Sequence, residues 1–207
     1  MQSTHKSRDK ETTKTPKSKE PGFDAIPTRI KTTSPLILNE TAVAPSEEVL
    51  ARLGDLNQQV ATIHRVSAEA YLSQGMFAEA ILHLDSACRF GSKNPEHYNQ
   101  LGIVRFLTGD DHGALAAFSA ALEHDEQHPD ANFNKGMVLA GMARREEAER
   151  AFTRSVLADD RNAETWNNLG VMRFELGRVD EARSCFKKAL EIDPANADAI
   201  SNLQLTD

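Results

Sequence analysis

The chain has 207 residues, 40% of them hydrophobic, which is enough for one or two small domains with a core of their own. Its net charge of −7 is unevenly placed: residues 1–45 hold eight Lys/Arg against five Asp/Glu, and the remainder 16 against 26, so most of the chain is a poor surface for nucleic acid or an anionic membrane. The longest uncharged stretch, GALAAFSAAL (113–122), falls well short of the ~18 apolar residues of a membrane span, and MQSTHKSRDKETTKTPKSKE at the N-terminus has no apolar h-region, so no secretory signal is expected and the chain is placed in the cytoplasm.

Residues 1–45 are rich in Thr, Ser and Lys and are punctuated by Pro16, Pro21, Pro27, Pro35 and Pro45. Such a stretch buries too little apolar surface to offset its ordering entropy, which predicts a disordered basic tail. Its charge would allow contact with nucleic acid or a membrane, although a solvated tail is the simpler reading. IPTRIKTTSPLIL (26–38) is an apolar island within it that could dock onto a partner. At Ser46 the pattern becomes helical, with Ser46 as N-cap and Glu47 and Glu48 in the first turn. Val49, Leu53, Leu56, Val60 and Ile63 follow at spacings of four, three, four and three, a stripe that would accept a coiled-coil partner. Its short run and Gly54 favour a leading helix, 46–60, packed on the next element.

From residue 61 a period of 34 residues takes over. Ala68, Gly102, Gly136 and Gly170 form one column; Gly75, Gly109, Ala143 and Gly177 another; Ala80, Ala114, Ala148 and Ala182 a third. Leu84, Phe118, Phe152 and Phe186 form a fourth, and Ala87, Ala121, Ser155 and Ala189 a fifth. The copies are 61–94, 95–128, 129–162 and 163–196, each predicted as two helices. In the last copy the first helix holds Trp166, Leu169, Val171 and Phe174 and ends near Gly177; the second starts near Val179 and ends before DPAN (193–196). A glycine inside a helix costs about 1 kcal/mol relative to alanine. Its recurrence in three copies predicts close approach of the two helices, with the small Ala80-to-Ala182 column opposite and the Phe column beside it. Residues 197–207 leave room for a short capping helix around Ile200 and Leu203.

The residues Trp166, Leu169, Gly170, Gly177, Ala182, Phe186, Ala189 and Pro194, in this order and period, resemble the tetratricopeptide repeat. The resemblance covers 61–196. It departs in the Trp column, which reads His64, Tyr98, Asn132 and Trp166, and in the Leu column, which reads Ser67, Leu101, Lys135 and Leu169. It implies an all-α fold, a right-handed α-solenoid of antiparallel helix pairs whose first helices line a concave groove. It also implies a protein-protein interaction adaptor that binds an extended peptide. A self-associating scaffold, or a regulatory subunit that delivers substrates to a separate enzyme, is the alternative.

If the register holds, Gln100, Asn134 and Asn168 face the groove, and a carboxamide offers both a donor and an acceptor to a peptide backbone. This amide series resembles the asparagine ladder in the repeats of O-linked N-acetylglucosamine transferases, which grips extended substrate protein. Ile103, Phe106, Phe133, Met137, Val171 and Phe174 lie beside it as an apolar lining, with packing between repeats as their other possible role. The carboxylate clamp of chaperone-binding members needs basic residues here. This chain offers Arg65 beside Glu69, then Glu96, Asp130 and Glu164, which would repel an acidic tail and suit a neutral or basic segment.

No enzyme is expected: the sequence has no GxSxG, no phosphate loop and no glycosyltransferase domain behind the repeats. His124 and His128 in HDEQH would suit zinc on a helix but fall where the repeats place a solvated turn, so no metal or cofactor is expected. Cys88 and Cys185, three repeats apart, read as small packing residues, not a disulfide. The expected partner is a protein or peptide, with a homo-oligomer as a further possibility.

Overall fold

The computed structural model describes residues 45–91 and 93–206, and among them nine α-helices and no strand. The readings placed on 1–44 lie outside the described residues. Helix α1 runs Glu47–Ser73, with the Ser46 side chain accepting from the Val49 amide at 3.4 Å. The leading helix and the first helix of the first copy are therefore one element, which corrects the expected separate helix over 46–60. Between 60 and 61 there is neither proline nor a capping residue, and Gly54 by itself costs too little to break the helix. The expected packing of the stripe on the next element is also corrected: Val49, Leu53, Leu56 and Ile63 are exposed.

The pairs α1 with α2 (Phe77–Phe90), α3 (Pro95–Leu107) with α4 (Asp111–His124), α5 (Pro129–Gly141) with α6 (Arg145–Ala158), and α7 (Ala163–Glu175) with α8 (Val179–Ile192) are the main packing units. Each second helix also meets the first helix of the next pair, and α9 (Ala197–Gln204) packs on α7 and α8. First helices open on side-chain caps: Asn94 accepts from the Glu96 amide, His128 from Ala131, Asn162 from Thr165, and Asn196 does the same for α9. Pro95 and Pro129 occupy the first helical position, where a missing N–H costs nothing. The turns before α5, α7 and α9 repeat one further bond, in which Asp125, Asp159 and Asp193 accept from the amides of Gln127, Arg161 and Ala195.

Each first helix of a pair ends in the same way. The amides of Gly177 and Arg178 donate back to the carbonyls of Phe174 and Arg173, and the equivalent double bond recurs at Gly75, Gly109 and Ala143. This Schellman turn needs a left-handed residue, and φ is +73°, +81° and +78° at the glycines but +57° at Ala143. Ala143 carries a Cβ penalty its counterparts avoid. Ala143→Gly is expected to raise stability by about 0.5–1 kcal/mol, read as a higher urea midpoint at unchanged slope. A lower midpoint would mean that the methyl packs favourably and the strain argument fails.

The glycine column meets the phenylalanine column directly. A Cβ built at Gly102, Gly136 or Gly170 would lie 2.5, 2.6 or 2.5 Å from Cε1 of Phe118, Phe152 or Phe186. Sequence reasoning placed the ring beside the close approach; the ring is the close approach. In the first copy alanine replaces glycine at Ala68 and the shorter Leu84 replaces phenylalanine, and both are buried.

Candidate functional site

The amide column lies on the first helices, one residue per pair, and all three of its expected members are half-buried. Gln100 lines an open recess of about 190 Å³ between α1 and α3, with Ala68, Glu69, Leu72, Leu84, Ile103 and Val104. This recess is almost wholly apolar, and Glu69, paired with Arg65, supplies its charged edge. Two of the expected site residues, Gln100 and Ile103, are thus brought together.

Asn134 and Asn168 are not free amides. Asn134 Nδ2 donates to Asn99 Oδ1 of the preceding pair at 3.0 Å, and Asn168 Nδ2 lies 3.3 Å from Met137 Sδ. Asn99 is buried, so its bond with Asn134 ties α5 to α3. The column has a fourth member the sequence reading passed over, although it stands one more period along. Asn202 on α9 donates to the buried Asn167 at 2.9 Å, repeating the clasp. Phe133 occupies the corresponding acceptor position for Asn168, which explains why that amide turns to a thioether instead.

The apolar residues divide. Phe133, Met137 and Val171 are half-buried against the core that holds Phe152, Leu169 and Met172, with the Phe133 and Phe152 ring centroids 5.9 Å apart. Ile103 packs likewise against Ala114, Phe118 and Val138. Phe106 and Phe174 stand exposed near the ends of α3 and α7. The apolar lining therefore packs between helices for most of its area and presents edges to the surface.

The pair in HDEQH is broken by its caps. α4 ends at His124, and His128 is not in a solvated turn: it is half-buried as the N-cap of α5, its Nε2 3.4 Å from Glu96 Oε2. Among the described residues no three His, Cys, Asp or Glu side chains gather as metal ligands would. Cys88 and Cys185 are buried thiols, and burial pushes Cys88 up to about 12, far from the reactive thiolate range. Cys185 does more than fill space, since Arg173 Nη1 donates to its Sγ at 3.2 Å.

Residues 163–196 match the family model of the tetratricopeptide repeat. That segment is a tetratricopeptide repeat, and the fold is the helical solenoid of such repeats. Among solved structures it is similar to MamA 41-end from Desulfovibrio magneticus RS-1, 24% identical over 70% of this chain and 82% of that one, with a TM-score of 0.65. It is also similar to YrrB, a TPR protein with an unusual peptide-binding site, at 26% identity, 76% and 83% coverage and a TM-score of 0.61. The first TPR of Spaghetti (RPAP3) bound to HSP90 peptide SRMEEVD aligns at 20% identity over 56% of this chain and 91% of that chain, TM-score 0.53. A comparison with curated proteins returns no match. The tetratricopeptide-repeat fold is a module for protein interaction, and no described helix is long and apolar enough to cross a membrane.

Proposed function

We propose that this tetratricopeptide-repeat chain is an adaptor that holds an extended peptide along the face formed by its first helices. The carrying observation is the open apolar recess between α1 and α3, with the Gln100 amide on its wall and Glu69 at its edge. A recess of this size takes one aliphatic side chain, the amide takes a backbone group, and the carboxylate favours a neutral or basic neighbour over an acidic one. The peptide-binding site that YrrB has, in a related fold, supports the same assignment.

Asn134 is a poor probe, because its loss also leaves the buried Asn99 oxygen unpaired. Gln100→Ala and Asn168→Ala are cleaner. Peptides selected from a random library on the full chain should bind the Gln100→Ala/Asn168→Ala protein at least about tenfold more weakly, with an unchanged thermal midpoint. Titration calorimetry showing equal affinity in both proteins would dismiss the amide role, and failure to select any peptide would dismiss the adaptor.

A further inference from the structure

The 34-residue register shows which face of α1 is uncovered. Ile63 stands in the column of His97, Ala131, Thr165 and Ala199, and Val66 in that of Gln100, Asn134, Asn168 and Asn202. In the later copies the first column is 2% exposed or less, because the preceding pair packs on it, and Asn134 and Asn202 bond to that pair through Asn99 and Asn167. In the first copy no described pair precedes: Ile63 is 64% exposed and Val66 51%. The same face continues through Leu56, Leu53 and Val49, where residues 47–56 are exposed on every side.

We propose that this face pairs with the same face of a second copy, α1 against α1 about a twofold axis. Spacings of four, three, four and three along Val49, Leu53, Leu56, Val60 and Ile63 let two such helices interlock knob into hole. The column that is an amide in later copies is Val66 here, so the face lacks the polar group that serves the repeat-to-repeat clasp. Charge is compatible with self-pairing. At 100° per residue Glu47, Glu48 and Asp55 fall away from the stripe, as does Gly54, and Arg52 at its edge is already bonded to Glu48 at 3.1 Å. Two copies therefore meet without unpaired like charges along the seam.

Area is sufficient. The half-exposed Val49, Leu50, Leu53, Leu56, Ile63 and Val66 of two chains amount to roughly 1,000 Å² of apolar surface, the lower end for a specific interface. A face that pairs with itself closes after two copies. It leaves out the α9 end, where Arg183 donates to the Thr206 carbonyl and, at 3.3 Å, to its hydroxyl, and where Ile200 and Leu205 are exposed.

Light scattering and sedimentation of the full chain across a concentration series are the test. The mass should approach twice the 22.8 kDa of one chain. In Leu53→Asp/Leu56→Asp it should return to 22.8 kDa, with association weakened by at least about a hundredfold and helix content of the folded pairs retained, since both leucines are exposed. A wild-type chain that stays monomeric at every concentration overturns the proposal. So does a dimer that survives the double substitution, or one that Leu205→Asp at the α9 end abolishes instead.

Discussion

Gly170→Ala is expected to destabilise the chain by about 1–3 kcal/mol, even though alanine is the better helix former by about 1 kcal/mol. The added Cβ would lie 2.5 Å from Phe186 Cε1, and the ring is fully buried, so it has nowhere to move. Phe186→Leu alone should also destabilise, because it leaves a void. Combining the two should return most of the loss, since the first copy already holds that pair as Ala68 and Leu84, both buried. The interaction energy from urea unfolding of wild type, the two single variants and the double variant should be at least about 1 kcal/mol and favourable. Simple additivity would mean that the helices separate to accept the methyl, and that the glycine is not set by the ring.

The same column shows what the sequence could and could not say. Period and small residues sufficed for an all-α solenoid of helix pairs and for explaining the glycine by close approach, because packing repeats wherever the period does. Side-chain bonds repeat by geometry rather than by residue type, and that is where the reading fell short. The Trp column looked degenerate at Asn132, yet Asn132 Nδ2 donates to the Glu126 carbonyl at 3.0 Å as the Trp166 indole donates to Asp160, one period on, at 2.9 Å. In these two copies the column supplies a donor to the same turn carbonyl, whereas Tyr98 donates to the Cys88 carbonyl of α2 and His64 meets His83. Lys135 likewise stands in a leucine position, with its ammonium 3.0 Å from Ser119 Oγ and burial holding its pKa below the usual lysine value. The amide series was legible as a column, but its partners Asn99 and Asn167 sit one residue off it, and no periodic search for identical residues would join them. The continuity of α1 hides behind the period for the opposite reason: a repeat boundary is not a helix boundary, and nothing in the residues around 60 stops a helix.

The joint between the third and fourth pairs should respond to acid more than its neighbours do. Glu149 on α6 reaches across to Arg178 at 2.6 Å and to Arg173 at 3.4 Å, with only 15% of its side chain exposed. Burial acts first and pushes its pKa upward, but the two guanidiniums outweigh it and hold the carboxyl below its ordinary 4.5. A carboxylate whose folded pKa is depressed adds stability above its unfolded pKa and loses it as pH falls through the folded value. Glu149→Gln is therefore expected to cost about 1–2 kcal/mol at neutral pH. The gap between wild type and variant should hold down to about pH 5 and close below 4.5. Arg178, the closer of the two, pulls harder on the carboxyl, and the better protected share belongs to Arg173. It is the more buried of the two cations and is also bonded to Cys185, whereas the more exposed Arg178 is better screened by solvent. In 1 M salt the Arg178 share should fade first, leaving a smaller but persistent gap. If the gap instead stays constant from pH 7 to pH 3, the carboxylate charge contributes nothing and Glu149 acts only through its shape. Because stability in stacked repeats sums over neighbouring interfaces, a real loss at this joint should appear as earlier opening of α7 to α9, measured by amide exchange, with α3 and α4 unchanged.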